Sequence, residues 1–309
     1  MKNIYLVTGV AGFIGSHIAE ELLKNPNNLV IGLDNFYSGH QKNIDIITSK
    51  NLVFYKGDIR DDDILTQIFS KHKVEYIFHE AAIASVQKSI DDPILSNEVN
   101  ARGTLKLLNF ARLYGAKRMV FASSAAIYGE EPTLPKNEQS VISPISPYGY
   151  EKLMSEEYMD LYSKLYGLET INLRYFNIYG PRQDPSSEYS GVISIFEEKF
   201  SKNKCPIIYG SGDQYRDFIH VKDVVRVNIM AMHQPYDKRN RLICCGSGIS
   251  ISINKLFDIF CEKYNKDWSP IYADGRKGDI FGSVSDNKKM LSLLDDSQLL
   301  GFSDGVLDL

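Results

Sequence analysis

Short apolar runs alternate with amphipathic segments through the first part of the chain. The apolar runs predict strands at Ile4–Thr8, Leu29–Leu33, Leu52–Lys56, Tyr76–His79, Arg118–Ala122 and Glu169–Arg174. Between them, apolar residues recur at helical spacing at Phe13–Lys24, Asp61–Lys71, Ile94–Tyr114 and Pro147–Tyr166. Strands that alternate with helices of this length are typical of βαβ units. The pattern therefore predicts an α/β protein with a doubly wound parallel sheet.

The pattern changes after Arg174. Loops lengthen and become rich in Gly, Pro, Ser, Asp and Tyr. Helical spacing persists at Val192–Lys202, Val221–Met232, Ile253–Tyr264 and Asn287–Leu294. We therefore expect two domains, with residues 1–174 forming the sheet and residues 175–309 forming a smaller, irregular α/β substrate lobe. Part of the second domain, about residues 215–235, is expected to pack back on the first.

The bulk composition narrows the class of protein. The 309-residue chain has 43% hydrophobic and 24% charged residues, as is ordinary for a soluble globular protein. Its net charge of −4 disfavours a nucleic-acid surface, and no apolar stretch is long enough to span a bilayer. The N-terminus predicts a strand and a glycine turn rather than a signal peptide. Four cysteines without metal-ligand spacing indicate a reduced, cytoplasmic protein without a metal site: Cys205, Cys244, Cys245 and Cys261.

A glycine-rich turn follows the first strand. Gly9, Gly12 and Gly15 are spaced so that the backbone can approach a pyrophosphate at a helix N-terminus. Asp34 ends the second strand about twenty residues later, where a carboxylate accepts hydrogen bonds from both ribose hydroxyls and repels a 2′-phosphate. Glycine turns also occur in ordinary loops, and an isolated Asp34 would be a simple turn residue. Their matched spacing predicts a Rossmann-type domain that binds NAD rather than NADP.

A second acidic turn, GDIRD, follows the third strand. Asp58 would suit an adenine by hydrogen bonding, and Ile59 would suit it by packing. As an isolated motif, GDIRD could equally be the N-cap region of a helix. Both interpretations remain open at this point.

The segment SPYGYEKLM places two tyrosines ahead of one lysine. Pro147 suits the first turn of a helix, so Tyr148 and Lys152 share one helix face and Tyr150 points elsewhere. A free phenol has a pKa near ~10, and a neighbouring ammonium lowers that value. Alone, this spacing is more often accidental. Ser124, however, follows the fifth strand, at the sheet edge where ligands bind, so together these residues predict a proton-transfer site.

These motifs together resemble the extended short-chain dehydrogenase/reductase family, and more narrowly its nucleotide-sugar 4-epimerases. The resemblance covers nearly the whole chain and is carried by TGVAGFIGSHIAEELL, LDNFYSG, GDIRD, HEAAIASVQKSI, SSAAIYG, PYGYEK and RYFNIYGPRQ. It implies 4-epimerisation of a UDP-hexose with NAD as cofactor. The reaction would pass through a transient 4-keto intermediate without net redox change.

The resemblance implies a Ser-Tyr-Lys set at Ser124, Tyr148 and Lys152. Tyr148 would take the proton of the sugar 4-hydroxyl while hydride leaves C4, and Ser124 would hydrogen-bond the same oxygen. Lys152 would hold the nicotinamide ribose and lower the pKa of the tyrosine. Asn100 matches a position that supports this site, although a plain helix residue would look the same. The other positions assigned to NAD are Phe13, Ile14, Asn35, Phe36, Ser38, Gly39, Ala81, Ala82 and Phe176.

Further positions match the binding site of the family for the UDP-sugar. Arg216 and Arg276 match arginines that bind the diphosphate, to which a guanidinium can donate two hydrogen bonds. Tyr209 matches an aromatic residue that packs against uracil. Taken singly, such residues are also common on surfaces or in cores. The other matched positions are Ala84, Ser85, Ser124, Tyr148, Asn177, Val192, Asp279 and Ser283.

Two positions bear on the choice of sugar. Ser283 matches a position beside the sugar C2, where a large aromatic residue excludes an N-acetyl group and a small residue admits it. Ala84 replaces a lysine that is common in the galactose-type enzymes. We therefore expect interconversion of UDP-N-acetylglucosamine and UDP-N-acetylgalactosamine, with UDP-glucose and UDP-galactose as a second pair.

The same fold hosts other reactions, so alternatives remain. They are a UDP-glucuronate 4-epimerase, a dehydratase or reductase acting on a nucleotide sugar, and a non-catalytic NAD-binding protein. Ala125 and Ala126 stand where dehydratases carry acidic residues, which disfavours a dehydratase. The presence of both Tyr148 and Lys152 disfavours a non-catalytic protein.

The expected partners also follow from the resemblance. The helices predicted at Ile94–Tyr114 and Pro147–Tyr166 resemble those that pair in homodimers of the family. We therefore expect a homodimer that binds a UDP-sugar. We expect it to bind neither nucleic acid nor a membrane.

Overall fold

The strands and helices below belong to a computed structural model, which describes residues 2–185, 191–275, 281–295 and 298–309. The strands are β1 (Asn3–Thr8), β2 (Asn28–Asp34), β3 (Leu52–Lys56), β4 (Tyr76–His79), β5 (Arg118–Ser124), β6 (Glu169–Tyr175), β7 (Asn177–Tyr179), β8 (Ile207–Tyr209), β9 (Tyr215–His220), β10 (Leu242–Cys245), β11 (Ser250–Ser252) and β12 (Ile271–Ala273). The helices are α1 (Phe13–Leu23), α2 (Gln41–Asp45), α3 (Asp62–Lys71), α4 (Val86–Asp91), α5 (Pro93–Asn97), α6 (Gly103–Leu113), α7 (Pro147–Tyr166), α8 (Val192–Ser201), α9 (Val221–His233), α10 (Ile253–Tyr264), α11 (Lys288–Leu293) and α12 (Phe302–Leu307). No helix of the described residues is long and apolar enough to cross a membrane.

The predicted doubly wound sheet is confirmed. Within the described residues, a seven-stranded sheet has the order β10-β6-β5-β4-β1-β2-β3. Strand β1 pairs in parallel with both β2 and β4, so that Leu6 lies between Ile31 and Ile77. The strand order reverses between β1 and β4, and ligands bind at such a reversal, beyond the carboxyl ends of the strands. Smaller sheets have the orders β11-β9-β7 and β12-β8.

Burial explains why the first six strands form this sheet. Side chains of Leu6, Ile31, Ile77 and Met119 are fully buried in one core cluster. Helices α3, α6 and α7 supply further members of the same cluster, among them Leu107. Strands buried on both faces read as continuous apolar runs, which is the pattern that the sequence shows here.

The predicted helix Ile94–Tyr114 was wrong as a single element. Asp92 caps and Pro93 opens the short helix α5, which is followed by a π-helical turn at Glu98–Arg102 and then by α6. Within that turn, the Asn100 side chain bonds to both backbone groups of Ile83. Such turns often occur at functional sites, and tertiary contacts decide where they form.

The chain divides into two compact units. The first comprises Met1–Glu131, Val141–Arg174 and Val225–Ile243, and the second comprises Pro132–Ser140, Tyr175–Val224 and Cys244–Leu309. The predicted two-domain organisation with its boundary after residue 174 stays a prediction. The second unit has its own core, in which the rings of Phe196, Phe200, Phe257 and Phe260 contact one another.

Candidate active site

The glycine turn between β1 and α1 is tightly packed. Gly9 has a φ of +69°, and a Cβ there would lie 2.8 Å from the backbone nitrogen of Ala81. A Cβ on Gly15 would collide with the carbonyl oxygen of Gly9. Gly12 caps α1 without a side-chain hydrogen bond, and the first turn of α1 contains no acidic residue. The exposed N–H groups and the dipole of such a helix end fit a pyrophosphate.

Asp34 is held at the end of β2 by backbone groups. Its Oδ2 accepts a hydrogen bond from the Ala11 N–H, and its Oδ1 accepts one from the Phe36 N–H, both at 2.8 Å. Burial raises the pKa of Asp34, and these two N–H groups oppose that rise. A carboxylate oxygen can accept more than one hydrogen bond, so both oxygens can also accept from ribose hydroxyls. The arrangement fits the ribose of NAD.

The ends of β2 and β3 meet through side chains. The Asn35 amide donates to Oδ2 of Asp58 at 2.8 Å, and the Arg60 guanidinium donates to both oxygens of Asp58. These bonds lower the pKa of Asp58, with the Arg60 bonds as the largest cause. Asp58 does not cap α3, because Asp61 does so. The GDIRD motif is therefore also the N-cap region of α3, through its last residue, Asp61.

Two predicted cofactor residues have additional packing roles. Ile59 is buried against Gly103, where a Cβ would lie 2.6 Å from its Cδ1. Gly39 lies so close to Ala11 that a Cβ would meet that backbone at 2.9 Å. Ser38 is exposed, and Phe13 and Ile14 are half-buried at the start of α1.

The segment after β4 carries four predicted residues. The Ala81 N–H donates to the Thr8 hydroxyl at 3.3 Å, and Ala82 is half-buried. Ala84 is exposed. Ser85 caps α4 by accepting a hydrogen bond from the Lys88 N–H at 3.1 Å.

The predicted proton-transfer residues come together in the first unit. Tyr148 is buried at the start of α7, where the Ser124 side chain lies near enough to lower its pKa. Lys152 donates from Nζ to the Ala122 carbonyl at 2.8 Å, and Nζ lies 5.7 Å from the centroid of the Tyr148 ring. Tyr150 is exposed, as expected for the other side of the helix.

The expected low pKa of Tyr148 was wrong for this structure. Burial raises the pKa of Tyr148 to about 12, although the Ser124 side chain opposes the rise. Burial also lowers the pKa of Lys152 to about 8, against the charges of Glu80, Glu151 and Glu156. Desolvation acts on both groups in the direction of the neutral form, and sequence spacing cannot report it.

Gly149 allows the approach of α7 to Ser124. A Cβ on Gly149 would lie 2.8 Å from the Ala126 carbonyl oxygen and 3.0 Å from the Pro144 side chain. Ala126 belongs to a 3₁₀ turn at Ala125–Tyr128 that begins directly after Ser124. The glycine between the two tyrosines therefore sets the spacing between the Ser124 turn and the helix.

Sequence reasoning missed a buried ion pair beneath this cluster. Glu156 accepts hydrogen bonds from the Arg174 guanidinium at 3.0 and 2.7 Å, and the Tyr128 hydroxyl accepts a further one at 3.0 Å. The Ser123 hydroxyl also donates to Glu156. A signal was present, because Tyr148, Lys152 and Glu156 follow one another at four-residue spacing.

In the second unit, four predicted substrate residues line one cavity of about 230 Å³. They are Asn177, Val192, Tyr209 and Arg216. Most of the remaining lining is apolar, with Gln183 and Gln214 as further polar groups. Phe176 is buried next to Asn177, and its N–H donates to the Cys245 carbonyl at 3.0 Å.

Ser283 lies beside the strand that carries Arg216. Its N–H donates to the Tyr215 carbonyl at 3.2 Å, and Arg216 donates from Nη1 to the same carbonyl at 3.0 Å. Two other predicted residues, Arg276 and Asp279, lie outside the described residues.

A second missed residue, Asp217, fastens the loops around β9. It is fully buried and accepts hydrogen bonds from the backbone N–H and hydroxyl of both Ser247 and Ser285, and from the Gly248 N–H. Gly246 is needed here, because a Cβ would lie 2.6 Å from Oδ2 of Asp217. The sequence contained no periodic signal for these contacts.

Comparison with known proteins places this geometry in a family. Residues 5–246 match the model of the NAD dependent epimerase/dehydratase family. The chain is 43% identical over 289 residues to a Methanocaldococcus jannaschii protein provisionally named UDP-glucose 4-epimerase, covering 93% of this chain and 91% of that protein. It superposes with a TM-score of 0.92 on the UDP-glucose 4-epimerase of Thermotoga maritima, solved with UDP-glucose, at 38% identity over 99% and 96% of the two chains. The TM-score is also 0.92 with the UDP-N-acetylglucosamine 4-epimerase of Methanobrevibacter ruminantium, solved with UDP-N-acetylmuramic acid, at 35% identity over 100% and 97%. With Tyr148 and Lys152 buried on one face of α7 and a glycine turn that fits NAD, the chain belongs to the NAD-dependent epimerase/dehydratase family.

Proposed function

We propose that this chain is a UDP-hexose 4-epimerase that interconverts UDP-N-acetylglucosamine and UDP-N-acetylgalactosamine, with UDP-glucose and UDP-galactose as a second pair. The observation that carries the reaction type is the position of Tyr148 between two groups. Ser124 lies near enough to lower its pKa, and Lys152 Nζ lies 5.7 Å from the centroid of its ring. The names of the relatives support a 4-epimerase and divide between the two sugar types.

NAD, when bound, supplies a cationic nicotinamide ring that accepts a hydride from C4 of the sugar and returns it to the opposite face. The residues that would hold NAD include Gly12 at the uncapped start of α1 and Asp34. In the proposed reaction, Tyr148 removes the proton of the 4-hydroxyl and later returns it. Ser124 donates a hydrogen bond to the same oxygen, and Lys152 contributes the positive charge that favours the phenolate.

The turn after β5 supports epimerisation over dehydration. Eliminating water across C5 and C6 needs an acid and a base besides Tyr148. Ala125 and Ala126, which follow Ser124 in the 3₁₀ turn, carry neither. A 4-epimerase needs no group beyond the tyrosine and the serine.

The cavity of the second unit supports a nucleoside diphosphate. Tyr209 offers an aromatic face and Arg216 a guanidinium, while Asn177 adds an amide. Uracil needs a flat apolar surface, and a diphosphate needs paired donors, so both chemistries are present in this cavity. Ser283 beside β9 is the residue on which the proposed N-acetyl preference rests.

The test uses purified protein incubated separately with UDP-N-acetylglucosamine and UDP-glucose, without added reductant. We expect UDP-N-acetylgalactosamine and UDP-galactose to appear by anion-exchange chromatography, with no lasting change in absorbance from reduced cofactor. Lasting cofactor reduction, or a 4-keto-6-deoxy product, would contradict the proposal.

Replacing Tyr148 with Phe tests the proton-transfer role. We expect Tyr148→Phe to reduce kcat by at least about a hundredfold, because general acid–base groups contribute factors of this size. Binding of UDP, measured by calorimetry, should be unchanged. The matched control is Tyr150→Phe, which alters an exposed phenol on the same helix and should retain activity.

Replacing Ser283 with Tyr tests the choice of sugar. We expect Ser283→Tyr to lose activity on UDP-N-acetylglucosamine and to keep activity on UDP-glucose, because an aromatic ring would fill the space beside C2. Ser283→Ala serves as the control and should keep both activities. Equal loss of both activities in Ser283→Tyr would show that Ser283 does not decide the choice between the two sugars.

We further propose that the protein works in the cytoplasm as a homodimer. Exposed apolar residues on α7 support this arrangement: Tyr150, Met154, Leu161 and Leu165. They follow one another at spacings of four and seven, which makes a single stripe along the helix.

A further inference from the structure

Glu151 is a buried carboxylate directly before Lys152. It is 2% exposed, and its Oε2 accepts hydrogen bonds from the Ser96 hydroxyl and the Asn100 amide, both at 2.7 Å. Within the described part of the chain, its Oε1 has no hydrogen-bond donor. Burying a carboxylate costs free energy unless its charge is paired and its oxygens accept hydrogen bonds.

The hydrogen bonds of Glu151 join α7 to the helix in front of it. Ser96 lies in α5 and Asn100 in the π-helical turn, so one carboxylate bridges two consecutive elements. One turn further along α7, the Ser155 hydroxyl contacts the Glu151 carbonyl at 2.8 Å and the Asn100 carbonyl at 3.3 Å. The Glu151 contacts therefore fix the rotation of α7 that turns Tyr148 and Lys152 inward.

The charge of Glu151 is also unusual among its neighbours. Glu156 forms an ion pair with Arg174, so its negative charge is largely compensated. The donors to Glu151 are a hydroxyl and an amide, which are neutral. Lys152 makes no ion pair within 4 Å among the described residues. The carboxylates that stabilise its ammonium lie farther away.

We propose that Glu151 is a positioning residue: its buried carboxylate fixes α7 against the π-helical turn and keeps Lys152 positively charged. The inference rests on the proposed function, because it assigns Glu151 a role toward Tyr148 and Lys152. The direction of the electrostatic effect agrees with the geometry. The charge of Glu151 raises the pKa of Lys152, against the effect of burial. It also raises the pKa of Tyr148, in the same direction as burial.

Other charged groups also act on Lys152, and they stay unchanged in each variant proposed below. Glu80 and Glu156 also raise the pKa of Lys152, and the charge of Lys152 lowers the pKa of His79. Glu156 is paired with Arg174, which also donates to the Tyr128 hydroxyl. The charged residues of α4, α6 and the π-helical turn are half-exposed or fully exposed: Lys88, Asp91, Glu98, Arg102, Lys106 and Arg112.

The decisive variant is Glu151→Gln, because glutamine keeps a carbonyl that accepts from Ser96 and Asn100 but removes the charge. Without that charge, Lys152 loses its proton at lower pH and Tyr148 ionises at lower pH. We expect the alkaline limb of the pH profile of kcat, which Lys152 sets, to move to lower pH by about half a unit or more. The profile is measured on the holoenzyme between about pH 6 and pH 10.

Ser96→Ala is the matched control, since it removes one hydrogen bond to Oε2 and leaves the charge. It should lower kcat or thermal stability without moving either limb of the profile. Glu151→Asp keeps the charge and should also leave the limbs in place, which provides a second comparison if the glutamine variant does not fold.

The outcomes separate this inference from the proposed function. If the wild-type protein shows no epimerisation, the proposed function fails before Glu151 is tested. If the wild type is active and Glu151→Gln keeps the alkaline limb unshifted, the charge role is overturned. If Ser96→Ala or Glu151→Asp moves that limb as Glu151→Gln does, the charge role is overturned as well, because the shift would then come from packing.

Discussion

His79 shows how a single side chain can be committed to one protonation state. Its Nδ1 contacts the Thr8 hydroxyl at 2.7 Å and its Nε2 contacts the Thr104 hydroxyl at 2.9 Å. The Thr104 hydroxyl donates to the Asn100 carbonyl, so it accepts from Nε2, and Nδ1 accepts from Thr8. Both ring nitrogens are satisfied in the neutral form. A proton on Nδ1 would face the Thr8 donor.

The pH dependence of stability follows from His79. Burial, and secondarily the charge of Lys152, lowers its pKa to about 3, well below the value of 6.5 that it has when exposed. Between pH 6.5 and about pH 3, His79 therefore binds a proton in the unfolded chain that it does not bind in the folded chain. The stability contribution is complete above pH 6.5 and is lost as the pH falls toward 3, at about 1.4 kcal/mol per pH unit.

We expect His79→Gln to flatten that slope of unfolding free energy against pH. Denaturant titrations between about pH 6 and pH 4 measure it, and the slope should decrease by roughly 1.4 kcal/mol per pH unit. Thr104→Val keeps the buried histidine and should keep the slope, even if it lowers stability at every pH. An unchanged slope in His79→Gln would show that other groups cause the acid sensitivity.

At the scale of elements, the start of α7 decides the geometry of the candidate site. Ser146 caps the helix by accepting from the Gly149 N–H at 3.2 Å, and Pro147 occupies the first turn. Gly149 then lies against the Ala126 carbonyl. The cap, the proline and the glycine thus set where Tyr148 meets Ser124.

We expect Gly149→Ala to be destabilising, although alanine is normally favoured over glycine inside a helix by about 1 kcal/mol. The new Cβ would need the Ala126 carbonyl to move, at a cost of about 1–3 kcal/mol. Because the same movement separates Tyr148 from Ser124, kcat should fall roughly tenfold to a hundredfold.

Thermal melting and steady-state kinetics of Gly149→Ala test this. Glu157→Ala introduces alanine on the exposed side of the same helix and serves as the control. A variant that melts at or above the wild-type temperature with full activity would contradict the close approach.

At the scale of the whole molecule, the proposed dimer depends on the α7 stripe. Leu165 is 61% exposed and Leu161 42% exposed. Leu307 in α12 is similarly exposed, at 65%, but belongs to the second unit. A dimer formed through the α7 stripe would bury Leu161 and Leu165.

We expect sedimentation of the wild-type chain as a dimer and of the double variant Leu161→Glu/Leu165→Glu as a monomer, because two charges cannot be buried in an apolar contact without partners. Leu307→Glu should remain a dimer. A monomeric wild type would reject the homodimer proposal, and a dimeric double variant would place the interface elsewhere.

Much of the first unit could be predicted from the sequence. Strands β1–β6 appear as apolar runs and helices α1, α3 and α7 as helical spacing, and their predicted bounds lie within two residues of the observed ones. The six strands β7–β12 were missed. Strands β7, β8, β11 and β12 have three residues each, too few to carry a measurable periodicity. They form where tertiary packing supplies the pairing.

The sequence by itself determined the α/β class, the alternation of strands and helices along the first 174 residues, the glycine turn and the spacing of Tyr148 and Lys152. These depend on local pattern and on chemistry that residue types already carry. Only the tertiary structure decided the π-helical turn, the uncompensated charge of Glu151 and the buried network of Asp217. It also reversed the expected shift in the pKa of Tyr148, because desolvation is set by what surrounds a group in space, and residues far apart in the chain supply those surroundings.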